Sequence, residues 1–221
     1  MIARLGPAPL FLARPGWGLW VGVALVALVS VMAVLIPSGP LAIDRTWSQW
    51  MTDIQTQALK DLALVFNYLG RGLGRALSIV AIGVVVLVAR RWLSLLAYAL
   101  TESLAPLASS TMKAIVDRPR PPEPMVHPSG ASFPSGHATY AGATCVALVL
   151  LFTSPGPRRR LWWALAGLAI AGMAWSRTYL QVHWLSDVLA GSLLGIGVAF
   201  LCFAAVQLAA SRPREPRPGA T

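Results

Sequence analysis

Six apolar stretches recur along the chain, at Gly18–Ile36, Ala76–Ala89, Trp92–Met112, Ala138–Ser154, Leu161–Ser176 and Val188–Ser211, and a single acid, Glu102, interrupts them. A bilayer core of about 30 Å is crossed by roughly 20 helical residues, so stretches of this length read as membrane spans. The second is short and is expected to recruit Leu73 and a snorkelling Arg75. Hydrophobic residues make up 56% of the 221, charged residues only 12%, and the mean hydropathy is +0.64; that balance describes an integral membrane protein. The expected architecture is an all-α six-helix transmembrane bundle. It divides into an N-terminal tail (1–16), a six-span domain (17–211) and a C-terminal tail (212–221).

Between the first two spans, Trp47, Trp50, Met51, Ile54, Leu59, Leu62 and Phe66 recur at helical spacing, with Asp53, Gln55, Lys60 and Asp61 between them. This pattern predicts an amphipathic helix, assigned to the membrane interface, with packing on the bundle rim as the other reading. Arg4 and Arg14 precede a first apolar run longer than a signal-peptide core, which is read as an uncleaved span.

The net charge of +10 could suit nucleic acid, but the basic residues sit in short clusters between apolar runs and form no stripe, so nucleic acid is not the expected partner. Membrane topology accounts for them. Arg4, Arg14, Arg90, Arg91, Arg158–Arg160, Arg212, Arg214 and Arg217 fall on one side of a six-span layout, the cytoplasmic side by the positive-inside rule. Both tails are then cytoplasmic. Cys145 and Cys202 lie inside apolar runs and predict neither a disulfide nor a metal site.

The opposite face carries three clusters. Lys113, at the end of the third span, and Arg120, after a Pro-punctuated turn, place two cations at the surface. Ser135, Gly136 and His137 open the fourth span, where free backbone N–H groups and the helix dipole suit a phosphate. Arg177 follows the fifth span. His183 and Asp187, four apart at the start of the sixth, are expected on one helix face, the carboxylate orienting the imidazole. With two histidines at one anion site, His183 is assigned to attack phosphorus and His137 to protonate the departing oxygen. The cations hold the remaining oxygens, so no metal or cofactor is required.

Taken singly, each cluster has an ordinary reading as a snorkelling cation, a helix cap or a structural pair. Together, in this order and spacing, they resemble the signature of the type 2 phosphatidic acid phosphatase family, which shares its core with vanadium-dependent haloperoxidases. The resemblance covers Lys113 to Asp187, the expected catalytic core. It implies a membrane phosphatase that removes phosphate from a lipid phosphate or diphosphate through a phosphohistidine. Lys113, Arg120, Ser135, Gly136 and Arg177 would bind the phosphate, and His183, His137 and Asp187 would carry the chemistry. Only Arg120 gives the family spacing from Lys113, but the adjacent Arg118-Pro119 pair is an additional candidate for substrate contact.

Glu102 is read as an interhelical hydrogen-bonding group, with headgroup recognition as the alternative; His127 is read as a solvated loop residue. A phosphotransferase using the same site is the main functional alternative. A haloperoxidase predicts a soluble protein, and a transporter or scaffold predicts loss of a catalytic histidine or Asp187, which are all present. The substrate class stays open among polyprenyl diphosphate, phosphatidic acid, phosphatidylglycerol phosphate and sphingoid phosphates. An extracytoplasmic site in a bacterial inner membrane favours the polyprenyl carrier.

Overall fold

A computed structural model describes residues 11–211, so most of the expected N-terminal tail and all of the C-terminal tail lie outside the described residues. Those described form eight helices and no strand: α1 (Pro15–Leu35), α2 (Ala42–Asp53), α3 (Gln57–Leu69), α4 (Gly72–Val88), α5 (Trp92–Val116), α6 (Gly136–Phe152), α7 (Arg159–Tyr179) and α8 (Leu185–Ser211). Each of the six apolar runs coincides with a helix. By length and composition, α1 and α8 are each able to cross a membrane, and α3 with α4 forms a further candidate span bent by 55°.

The expected single amphipathic helix is instead two. The chain turns at Ile54–Thr56, and the Thr56 hydroxyl accepts the Leu59 N–H at 3.3 Å, capping α3. The Thr56 N–H itself donates to the Tyr179 hydroxyl at 2.8 Å, which holds the break against α7. Met51 and Ala63 are buried with Tyr179, Leu180 and Val182. The apolar face of α2 and α3 is therefore packed on the rim of the bundle, at the end of α7.

The centre of the molecule is the α6–α8 pair. Twelve of the 17 residues of α6 are buried, because small residues line its contact with α8. A Cβ on Gly195 would overlap the Thr139 carbonyl oxygen, and one on Gly191 would overlap that of Ser135. In lipid the water-driven hydrophobic term is weak, so close backbone approach and the dispersion it gives are what hold helices together. This contact also fixes the start of α6 against the start of α8. The Ser135 N–H donates to the Asp187 carbonyl at 3.0 Å. Outward, Trp17, Trp20, Val34, Leu168 and many other apolar side chains are exposed, as expected of a surface solvated by lipid.

Candidate active site

Lys113 lies in the last turn of α5, which ends at Asp117 in the left-handed conformation. The chain then runs through the Pro-rich segment 118–135 and re-enters helix at Gly136. Lys113 Nζ donates to the carbonyls of Ala131 (2.6 Å) and Ser132 (3.3 Å). The Arg120 fork donates to those of Ser129 (2.8 Å), Gly130 (2.9 Å), Ala131 (3.2 Å) and Val182 (2.6 Å). Two cations thus tie loop 129–132 to the turn that carries His183. Arg177, expected just beyond its span, lies inside the last turn of α7. Its Nη1 donates to Asn67 Oδ1 at 2.8 Å.

These groups converge on a cavity of about 150 Å³ lined by Lys113, Arg120, Gly136, His137, Arg177 and His183, with Asn67, Arg71 and His127 at its wall. That is room for about five water-sized groups, the heavy-atom count of a phosphate. Ser135 Oγ, His137 Nε2 and Arg177 Nε are buried without a hydrogen-bond partner. His137 and Arg177 line the cavity; their unpartnered atoms are costly in an empty site, and an anion inside would satisfy them. Behind His137 the backbone of Gly70 presses on the ring, where a Cβ would overlap Cδ2.

His183 sits in the turn before α8, outside the helix, so only Asp187 is on its first turn; the expectation of one shared helix face is corrected. The pair still faces correctly. His183 Nδ1 is 3.7 Å from Asp187 Oδ2, with the Ser132 hydroxyl between, donating to Asp187 Oδ2 and 3.5 Å from Nδ1. The distance is long for a direct bond, but catalytic hydrogen bonds in unliganded sites often tighten only when substrate arrives. Nε2 points the other way, 3.2 Å from Arg120 Nη1. Burial above all holds the His183 imidazole down to about 3, with Arg120 and Lys113 adding to the effect and Asp187 opposing it. At neutral pH the ring is uncharged, and its Nε2 lone pair accepts from the Arg120 guanidinium until a substrate oxygen draws that donor away.

Arg118 does not reach the cavity. It is 1% exposed and lies between two carboxylates, donating through Nη2 to Asp44 Oδ2 at 2.8 Å and through Nη1 to Asp187 Oδ1. The Ser186 hydroxyl accepts a further bond from Nη1 at 2.8 Å. Its place is behind the nucleophile, where it fixes Asp187 and through it the His183 turn. Asp44 also accepts the Ser186 N–H at 2.9 Å, so α2 is pinned to the start of α8. Glu102 accepts the Thr144 hydroxyl at 2.7 Å, the interhelical bond anticipated for it. His127 is an exposed loop residue, as read from the sequence, and also lines the cavity.

Four residues at this site gave no signal in sequence. Asn67 and Arg71 belong to the α3–α4 junction, Asp44 to α2 and Ser132 to the loop. Each is brought in by packing between distant segments, and none belongs to a local spacing pattern.

Residues 90–210 of the chain match the PAP2 superfamily. Phosphatidylglycerophosphatase B of Bacillus subtilis (strain 168) is 33% identical over 100 residues, which cover 43% of this chain and 49% of that protein. Undecaprenyl-diphosphatase of Sulfolobus acidocaldarius is 38% identical over 86 residues, covering 39% of this chain and 37% of that one. The chain thus spans about half the length, or less, of these curated relatives. Among solved structures, the crystal structure of a transmembrane PAP2-type phosphatidylglycerolphosphate phosphatase from Bacillus subtilis superposes with a TM-score of 0.66 at 27% identity, covering 86% of this chain and 94% of that one. The crystal structure of Aquifex aeolicus LpxE shares the fold, with a TM-score of 0.60 at 20% identity, covering 76% and 96%.

Proposed function

As the chain belongs to the PAP2 superfamily, we propose that it is a membrane-embedded phosphatase that removes phosphate from a lipid phosphate or diphosphate through a phosphohistidine. The observation that carries this reading is the cavity lined by four cations and three imidazoles, among which His137 Nε2 and Arg177 Nε have no partner. An oxyanion held there exchanges the loop carbonyls on Lys113 and Arg120 for its own oxygens. His183 Nε2 attacks phosphorus, the bond to the leaving oxygen breaks, and the proton of His137 goes to that oxygen. Asp187 stabilises the charge that builds on the His183 ring. In the second half, His137 takes a proton from water, water attacks phosphorus, the P–N bond breaks and phosphate leaves. The guanidiniums and ammonium stabilise negative charge in both transition states, the role that is worth most in a water-poor site.

In this reading α1, α4, α5, α6, α7 and α8 are the six spans and α2–α3 lies at the interface. Both tails are cytoplasmic, and the cavity opens on the extracytoplasmic side of a bacterial inner membrane. Arg90, Arg91 and Arg158–Arg160 support that orientation. The test is release of inorganic phosphate by the purified protein from a panel of lipid phosphates in detergent with EDTA, beside His183→Ala. Activity that persists in EDTA and vanishes in the variant is expected. Dependence on added metal, or full activity without the imidazole, overturns the mechanism.

A further inference from the structure

A second cavity, of about 190 Å³, adjoins the phosphate cavity and shares Lys113 and Gly136 with it. It follows the groove between α5 and α6 and is lined by Glu102, Pro106, Ser109 and Tyr140, with Arg75 of α4 at its side. Glu102 precedes Lys113 by eleven residues in α5, about 16 Å along the helix at 1.5 Å per residue. The cavity therefore runs from the phosphate toward the bilayer interior. In a lipid phosphate, what lies on that side of the scissile phosphate is the leaving group.

We propose that this cavity is a leaving-group subsite that recognises a free hydroxyl on the alcohol carrying the scissile phosphate, with Glu102 and Ser109 as its specificity-determining residues. The inference rests on the phosphatase reading. Its chemistry comes from what lines the space. One oxygen of Glu102 is taken by Thr144 at 2.7 Å, and a carboxylate has further acceptor capacity. Ser109 Oγ is buried without a partner. Pro106 has no N–H to give the Glu102 carbonyl one turn back. The Arg75 guanidinium is stacked over Tyr140, 5.0 Å from the ring centroid, and sits opposite the acid.

A surplus of acceptors with a few donors suits a hydroxyl, which gives one hydrogen bond and receives others. A second phosphate has only acceptor oxygens and negative charge; beside Glu102 in a low-dielectric groove it is repelled, a penalty that Arg75 and Lys113 offset only in part. A leaving group without a hydroxyl leaves the buried Ser109 and Glu102 groups unpaired, which is how sites built for a hydroxyl reject analogues that lack it.

Three probes in detergent test this: 1-acyl-glycerol 3-phosphate (lysophosphatidic acid), whose leaving alcohol bears a free hydroxyl beside the ester and no second phosphate; phosphatidic acid with the same acyl chain at position 1, in which that hydroxyl is esterified; and a polyprenyl diphosphate. In the unmodified protein kcat/KM for the first should exceed that for the second by about tenfold or more, the scale of one hydrogen bond to a charged group. Glu102→Gln, which can still accept from Thr144, should lower that ratio about tenfold and raise hydrolysis of the diphosphate. Ser109→Ala should lower the ratio several-fold and serves as the test if Glu102→Gln does not fold. A ratio unchanged within about twofold in both variants overturns the proposal. So does a loss of diphosphate hydrolysis in Glu102→Gln equal to the loss on lysophosphatidic acid, since a purely structural role predicts that. Absence of phosphate release from all three probes by the unmodified protein is a different failure, that of the phosphatase reading itself.

Discussion

Replacing Arg118 by Ala removes a guanidinium whose side chain is wholly inaccessible, as are those of its partners Asp44 and Asp187. Two carboxylates then face each other in a dry interior with no counter-charge. Breaking one buried pair by removing a partner costs about 3 to 5 kcal/mol, and this deletion leaves two partners behind. For chains of this size 1 kcal/mol moves Tm by about 2 to 4 °C, so the variant should melt roughly 6 to 20 °C lower. Thermal unfolding in detergent measures that, and a cycle with Asp44→Asn should show a coupling above about 1 kcal/mol. At temperatures well below the transition, KM should stay within a few-fold while kcat falls through the loosened Asp187. A variant that melts normally but needs tenfold more substrate would place Arg118 on the phosphate and refute its assignment behind the nucleophile.

His137→Ala should slow phosphate release by roughly 10²- to 10⁴-fold, and much less for a nitrophenyl phosphate, whose leaving oxygen needs no proton; equal losses on both substrates would sink the acid role. Lys113→Ala and Arg177→Ala should each lower kcat by about 10²- to 10³-fold with unfolding temperatures near normal, and near-normal rates would refute the phosphate clamp. Because His183 binds a proton only near pH 3 when folded, against 6.5 when free, the unfolded chain holds the extra proton between those values and stability is lost as pH falls below 6.5. Tm should therefore drop more steeply from pH 6.5 to 4.5 in the unmodified protein than in His183→Gln; parallel curves would contradict a buried neutral imidazole.

The apolar runs announced helices because a span needs length and freedom from charge, and both are local properties. Likewise Lys113, Arg120, Gly136, His137, Arg177 and His183 could be gathered on one face because each sits at or near a helix end, and helix ends alternate between sides. The break at Ile54–Thr56 was harder to see. It contains neither Gly nor Pro, and its one sign was a Thr able to cap the next helix. Arg118 and Arg120 were indistinguishable, since an Arg-Pro-Arg-Pro segment has no periodic face. What separates them is Asp44, more than 70 residues away and recognisable only after α2 has docked. Ser132 was unreadable for the same reason: a serine in an irregular loop acquires its role from the carboxylate it meets.

The docking of α2 has a consequence for how the site could be moved or cut. The sequence match to the family begins at residue 90, yet Asp44, Asn67, Gly70 and Arg71 all come from before it and hold, in turn, the arginine behind the nucleophile, the Arg177 fork, the back of the His137 ring and the His127 loop. The recognisable stretch is thus not a transplantable unit. A chimera that keeps residues 90–221 and borrows the first 89 from a relative inherits every signature residue and loses their scaffolding, unless the donor supplies an acid and a glycine at the matching places.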